Sequence, residues 1–336
     1  MPLAGLEALA EKKLIPLYSM FELTYACNLK CSHCYIRKSG GRRELNYSMV
    51  MTTLSSLAGE GNLFITFTGG EIFIRKDIFK IFEYSAKSGF AASFYSNGTL
   101  LGKEEIKRLK DVPMREAGIS IYSGRSEVHD GITGVKGSFL KAIKAAELLV
   151  SAGIRTKIKC PLMKQNIKDA AEVAKLAGKI GANYQFDPLI SAANDGDKRT
   201  LSLRLNEEEL IGTLKNRKIS GRPVYSSRFP ERNLLCSAGK NFVSINPYGD
   251  VFPCLQFLVK AGNIRENTFR DIWKNSPELK KIRKINMKDL AECRSCRLMK
   301  FCNRCAGLAG IEDGNIKGAS SAACFTAAAR ARERLR

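Results

Sequence analysis

The feature that most constrains this chain is the stretch Cys27-Asn28-Leu29-Lys30-Cys31-Ser32-His33-Cys34-Tyr35, which sets three thiols within eight residues. They follow a mostly apolar run over residues 14–24, so they sit at the end of a candidate strand. Thiolates are soft ligands that favour iron–sulfur clusters or zinc. A four-iron cubane usually takes four cysteines, yet the next cysteine in sequence is Cys160. Three ligands would leave one iron open to a substrate or cofactor. The gaps of three and then two residues are not those of a bacterial ferredoxin run, which also ends in Cys-Pro. A zinc site or a cluster of buried thiols is the plain alternative.

Eleven cysteines, behind an N-terminus that lacks the charge order of a signal peptide, point to metal rather than disulfides and to the cytoplasm. Ten of them fall in two groups, over 27–34 and 236–324, and Cys160 reads as a small buried apolar residue. No run approaches the roughly 18–20 apolar residues that span a bilayer. The net charge of +22 favours anionic partners. No zinc-finger helix, RNA-binding signature or long basic tract points to nucleic acid.

From residue 14 to 190 short β-rich runs alternate with amphipathic stretches. The candidate strands are 14–24, 63–68, 92–96, 118–122, 157–162 and 184–189, with helices near 47–58, 76–88, 103–110, 138–152 and 166–180. In the fourth helix Ser138 is a candidate N-cap, Phe139, Ile143, Ala146 and Val150 form one stripe, and Gly153 supplies the stop. Such alternation builds a parallel sheet with right-handed crossovers. Six units are too few for an eight-stranded barrel, so the expected fold is α/β, an open, partial (β/α)6 barrel over residues 1–190.

Ligands of such sheets bind beyond the carboxyl ends of the strands. The cysteine loop, Thr68-Gly69-Gly70-Glu71, Ser96-Asn97-Gly98-Thr99, Ser120-Ile121-Tyr122-Ser123, Met163-Lys164-Gln165-Asn166 and Phe186-Asp187-Pro188 all fall on that rim. Residues 191–235 read as a bridge, with a short helix at LNEEELIGTL and breaks at Asn194-Asp195-Gly196-Asp197 and Ser220-Gly221-Arg222-Pro223. Beyond it, residues 236–336 form a small cysteine-rich unit. Asn246-Pro247-Tyr248-Gly249-Asp250 is the turn of a β-hairpin between 242–245 and 251–252, flanked by Cys236 and Cys254. Cys293, Cys296, Cys302 and Cys305 then form two Cys-x2-Cys pairs, with Cys324 following. Two such pairs suit one tetrahedral zinc, but seven thiols exceed it.

The cysteine loop resembles the Cys-x3-Cys-x2-Cys motif of the radical S-adenosylmethionine superfamily, and the aromatic Tyr35 after it fits as well. The resemblance implies that Cys27, Cys31 and Cys34 hold a catalytic 4Fe-4S cluster whose open iron binds S-adenosyl-L-methionine. Reductive cleavage would then give a 5′-deoxyadenosyl radical that abstracts hydrogen from substrate. It implies further that Gly69, Gly70 and Glu71 form the motif that positions the methionyl ammonium. Ser96 and Asn97 would serve the ribose or methionyl end, Ser120 and Ser123 the ribose or carboxylate, and Met163 and Asn166 the adenine. Many relatives carry an Arg where Thr133 stands, so Arg125, Lys159 or a serine would have to meet the cofactor carboxylate.

The C-terminal cysteines resemble the SPASM domain, which carries auxiliary iron–sulfur clusters. Its second group normally ends in a gap of three residues where this chain has two. The family's crossing pattern implies one site of Cys293, Cys296, Cys302 and Cys324, and another of Cys236, Cys254 and Cys305. Residues 191–235 contain no cysteine, so the second site would have an open iron or a non-cysteine ligand. Sulfatase-maturing relatives have an Asp where Leu255 stands, which disfavours that activity.

The expected function is therefore oxidative modification, such as cross-linking, of an acidic ribosomal peptide. An electron donor of flavodoxin or ferredoxin type is implied. A separate leader-binding protein is expected too, because the first strand begins too early to leave room for the leader-gripping domain of many relatives. Decarboxylation or trimming of a tetrapyrrole in a haem pathway is the alternative enzyme. An iron–sulfur electron carrier or zinc scaffold is the alternative outside catalysis.

Overall fold

The computed structural model describes residues 3–37, 40–220 and 236–334. The expected break at 220–223 falls largely outside them. Six parallel strands, β1 (Tyr18–Thr24), β2 (Phe64–Gly69), β3 (Ala91–Ser96), β4 (Glu116–Ser120), β5 (Thr156–Pro161) and β6 (Asn183–Asp187), lie side by side in chain order. Helices Tyr47–Gly59, Ile78–Lys87, Lys103–Lys110, Ser138–Ser151 and Ala170–Ile180 make the crossovers. Behind the sheet an aromatic cluster fills the core. Phe82 stacks on Phe94 with centroids 5.7 Å apart, and Phe73 meets Phe94 edge-on at 5.4 Å.

Two details differ from expectation in the fourth crossover helix. Its capping position is Gly137, and the Ser138 hydroxyl instead donates to Asp130 Oδ1 at 2.8 Å. The buried face is rotated onto Ala142, Ala145, Ala146 and Leu149, with Phe139 and Ile143 flanking it. Small residues let the helix lie close to the sheet, so the alanines take the centre. An additional helix, Ser126–Thr133, follows β4. Its C-terminal carbonyls at Ile132 and Thr133 accept the N–H groups of Ser32 and Lys30, which ties down the cysteine loop.

Among the described residues the sheet does not close on itself. β1 is joined on its outer edge by β7 (Phe242–Ile245), parallel, from Tyr18 opposite Phe242 to Phe21 opposite Ile245. The expected hairpin continues into β8 (Asp250–Phe252), and β9 (Gly262–Asn263) completes a nine-stranded sheet. The cysteine-rich C-terminal segment thus shares its backbone ladder with the barrel. Trp273, fully buried, adds a second tie by donating Nε1–H to the Leu14 carbonyl at 2.6 Å.

Asp250 holds the hairpin turn. Its carboxylate meets Arg42 Nη1 at 2.6 Å, Lys260 Nζ at 2.8 Å and Asn263 Nδ2 at 2.8 Å. Burial alone would raise its pKa, but hydrogen bonds from Arg42, Lys260, Asn263 and Asn246 outweigh burial and hold it well below the carboxylate range. Because Arg42 and Lys260 are 40% and 50% exposed, we expect Asp250→Ala to cost about 2 kcal/mol, below the range for fully buried pairs. A depressed folded-state pKa stabilises above the unfolded value and is lost as pH falls through the folded one. The gap in melting temperature between wild type and Asp250→Asn should therefore be constant above about pH 5 and shrink below it.

Candidate active site

The carboxyl ends of the barrel strands enclose a cavity of about 700 Å³. Its wall is the cysteine loop on one side and Gly69, Gly70, Ser96, Asn97 and Ser120 on the other. The posture of that loop depends on backbone contact between β2 and the chain leaving β1. The N–H groups of Gly70 and Glu71 donate to the carbonyls of Thr24 and Ala26 at 2.7 and 2.8 Å. A Cβ on Gly70 would overlap the Ala26 carbonyl, and one on Gly69 the Thr24 carbonyl, where φ is also +128°. Only glycine permits this approach.

Glu71 does not line the cavity. Its carboxylate is fully buried and accepts from Ser96 Oγ at 2.9 Å, from the Asn97 N–H at 2.8 Å and from the Phe73 N–H at 3.1 Å. Burial pushes its pKa up to about 7, against the pull of those donors. Asn97, so placed, donates Nδ2–H to Asn28 Oδ1 at 3.0 Å, and Asn28 Nδ2–H reaches Thr99 Oγ1 at 2.8 Å. The segment from Gly69 to Glu71 therefore acts on the cavity by fixing the cysteine loop and the end of β3.

Besides Glu71, three residues expected at the rim, Ser123, Met163 and Asn166, lie off this cavity. Ser123 is fully buried and donates to Asp169 Oδ2 at 2.6 Å. Asn166 spends its amide on the carbonyls of Tyr122 and Pro161, and Met163 packs with Tyr122, Ile132 and Ile190. These are turn-forming and packing roles. Of the cations weighed against the missing Arg, Arg125 is half exposed and paired to Asp169 at 2.8 Å, whereas Lys159 lines the cavity. Lys159 donates to Gln185 at 2.8 Å, lies over the Tyr95 ring at 4.8 Å, and has its pKa lowered by burial.

Tyr35 lines the cavity and donates its hydroxyl to Glu22 Oε1 at 2.7 Å, while Tyr25 donates to Glu22 Oε2 at 2.9 Å. Burial raises Glu22 to about 7, against the two phenols. Sequence reading passed over Glu22, Tyr25 and Tyr95, and left Lys159 as one of several groups that could meet the cofactor carboxylate. For Glu22, Tyr95 and Lys159 the signal is a polar side chain inside an apolar strand, the mark of a lumen-facing residue.

The three loop thiols suit a metal cluster. Burial, then the neighbouring Cys34 and Cys27, push Cys31 up to about 12, and burial raises Cys27 and Cys34 as well. Unligated, they stay protonated, so metal would displace protons on binding. His33 Nδ1, beside them on the cavity wall, is buried without a partner. The donor set and this orphaned nitrogen fit an iron–sulfur cluster with a polar cofactor. The C-terminal thiols fall into two neighbourhoods. Burial raises Cys302 to about 11, with Cys324, Cys293 and Cys296 adding to it. Burial likewise raises Cys254 to about 11, with Cys236 and Cys305 adding to it. Among the described residues no three His, Cys, Asp or Glu side chains stand close enough to hold a single metal ion.

An open parallel α/β barrel with a three-thiol loop over its C-terminal mouth, followed by a cysteine-rich extension, defines a class of metalloenzyme. The radical SAM superfamily model matches residues 21–177, and the iron-sulfur cluster-binding SPASM domain matches residues 236–306. The chain is 30% identical to the antilisterial bacteriocin subtilosin biosynthesis protein AlbA of Bacillus subtilis, over 87% of this chain and 67% of that one. It is 26% identical to the AdoMet-dependent heme synthase of Methanosarcina barkeri, over 78% and 83%. The crystal structure of Streptococcus suis SuiB bound to precursor peptide SuiA has the same fold, with a TM-score of 0.73 at 19% identity over 96% of this chain and 79% of that one. The protein belongs to the radical SAM superfamily and carries a SPASM domain. It is an enzyme that uses S-adenosylmethionine and iron–sulfur clusters.

We expect Gly70→Ala to unseat the loop at a cost of about 3 kcal/mol, with weakened S-adenosylmethionine binding by equilibrium dialysis. Gly59→Ala is the control, because a Cβ there meets nothing within 4 Å.

Proposed function

We propose that this enzyme oxidatively modifies a ribosomally made peptide, forming a cross-link. The observation that carries the reading is a second chamber of about 380 Å³, walled by the hairpin and the barrel mouth. Tyr25, Tyr35 and Arg37 line both this chamber and the cofactor cavity. A peptide segment lying in the chamber would have a C–H bond within reach of the cavity. The relative named for subtilosin biosynthesis supports the same class of substrate.

Cys27, Cys31 and Cys34 would hold the catalytic cluster, which when bound would supply the reducing electron for radical chemistry on S-adenosylmethionine. The chain's own residues do the rest. Lys159 offers a cation to the cofactor carboxylate, and Gly69, Gly70, Ser96, Asn97 and Ser120 shape the wall against it. Glu71 positions that wall through Ser96 and Asn97. Glu22 fixes the Tyr35 ring at the passage between cavity and chamber. Cys236, Cys254 and Cys305, and separately Cys293, Cys296, Cys302 and Cys324, would hold auxiliary clusters, which would supply electron-transfer capacity. The basic surface suits an acidic peptide, a separate leader-binding protein and an acidic electron donor. The expected setting is the cytoplasm. Among the described residues no helix is long and apolar enough to cross a membrane.

The similarity to a heme synthase keeps a tetrapyrrole substrate as the second reading. Anaerobically reconstituted enzyme with reductant, S-adenosylmethionine and a peptide encoded beside it should yield 5′-deoxyadenosine and a peptide lighter by two hydrogens per new bond. Carbon dioxide release from a carboxylated tetrapyrrole, with the peptide mass unchanged, would hand the case to the second reading.

A further inference from the structure

We propose that a small apolar pocket beside Tyr35 is the subsite for one branched aliphatic side chain of the substrate, a reading that rests on the peptide function above. The pocket has about 80 Å³ and is walled chiefly by Ala192, Leu255, Leu258, Leu308 and Ile311. Asn194, Leu255 and Leu258 line both pocket and chamber, and Tyr35 lines pocket, chamber and cofactor cavity alike. A side chain in the pocket therefore leaves its backbone in the chamber, against the ring that borders the cofactor cavity.

The wall is chiefly apolar, with Ser191, Asn194 and Gln256 as its neutral polar members beside Tyr35, and several of its polar groups are already engaged. The Asn194 N–H donates to the Tyr35 carbonyl at 2.8 Å, and Asn194 Oδ1 accepts from the Arg37 N–H at 2.7 Å. The Tyr35 hydroxyl is given to Glu22, the Ala192 N–H to Glu312, and the Ser191 carbonyl accepts from Thr200. Among the described residues no charged one lines the pocket, so a charged side chain would lose its hydration there without gaining an ion-pair partner.

Size narrows the choice further. An apolar cavity of about 150 Å³ takes a benzene ring, and this pocket has about half that volume. It suits a valine or leucine side chain and excludes an aromatic one. Its walls also belong to the auxiliary site. Leu255 directly follows Cys254, and the Leu308 N–H approaches Cys305 Sγ at 3.4 Å. The segments that carry two thiols of one auxiliary site thus shape the specificity pocket.

The test uses reconstituted enzyme with S-adenosylmethionine and equilibrium dialysis of N-acetyl amino acid N-methylamides. The valine and leucine derivatives should bind about tenfold more tightly than those of aspartate, lysine and phenylalanine. Ile311→Trp, which fills a half-buried wall, should abolish the preference, and Ile311→Ala should admit the phenylalanine derivative. Leu140→Trp, on an exposed helix face, should change nothing, and thermal transitions establish that each variant folds. Equal affinity across the set, no binding by any derivative, or a preference that survives Ile311→Trp overturns the subsite. If the enzyme still modifies its neighbouring peptide in that event, the subsite alone is wrong. Turnover of a tetrapyrrole with no peptide modified would overturn the reading beneath it.

Discussion

Everything at the mouth of this barrel depends on two backbone hydrogen bonds, from the Gly70 and Glu71 N–H groups to the Thr24 and Ala26 carbonyls. They bring the end of β2 so close to the chain leaving β1 that no side chain fits between. The cysteine loop starts one residue later, so the thiols inherit their position from that contact. Two further N–H groups, of Lys30 and Ser32, fasten the loop to the helix after β4. A buried carboxylate, Glu71, then locks the end of β3 to the same scaffold. The loop thus rests on β2, β3 and the helix after β4, the preorganisation that a cluster with an open coordination position needs.

The second constraint is the pairing of β7 with β1. It makes the cysteine-rich segment a continuation of the barrel sheet and places the hairpin against the mouth. The seam between them becomes the chamber, and Tyr35, oriented by Glu22, stands where chamber, cavity and apolar pocket meet. Chemistry and specificity are then set by different groups. The loop thiols serve the cofactor, and Leu255, Leu258 and Ile311 sort what lies beside it.

Much of this was legible in the sequence, for identifiable reasons. The six barrel strands stood out because each apolar run is separated from the next by an amphipathic helix, and the bounds moved by only a few residues. The thiol loop and Gly69-Gly70-Glu71 stood out because spacing and composition there serve chemistry or close backbone approach. The β7–β1 ladder was hidden, since nothing local at Phe242 says that Tyr18 will be its neighbour. Ser123, Met163 and Asn166 lie off the cavity, since residues after a strand serve turns as readily as ligands. Glu22 was passed over, and Lys159 was not singled out from Arg125 or a serine, although a charge inside an apolar strand is itself the sign of a lumen-facing position.

The central claim is that Cys27, Cys31 and Cys34 form one functional metal site, independent of the C-terminal thiols. Iron content and the electron paramagnetic resonance spectrum of the dithionite-reduced protein, with and without S-adenosylmethionine, test it most directly. In the C27A/C31A/C34A variant the account predicts loss of one cluster's iron and of every spectral change caused by S-adenosylmethionine, with the C-terminal signals retained. A cofactor-induced change that persists in that variant, or loss of all its iron, would contradict it.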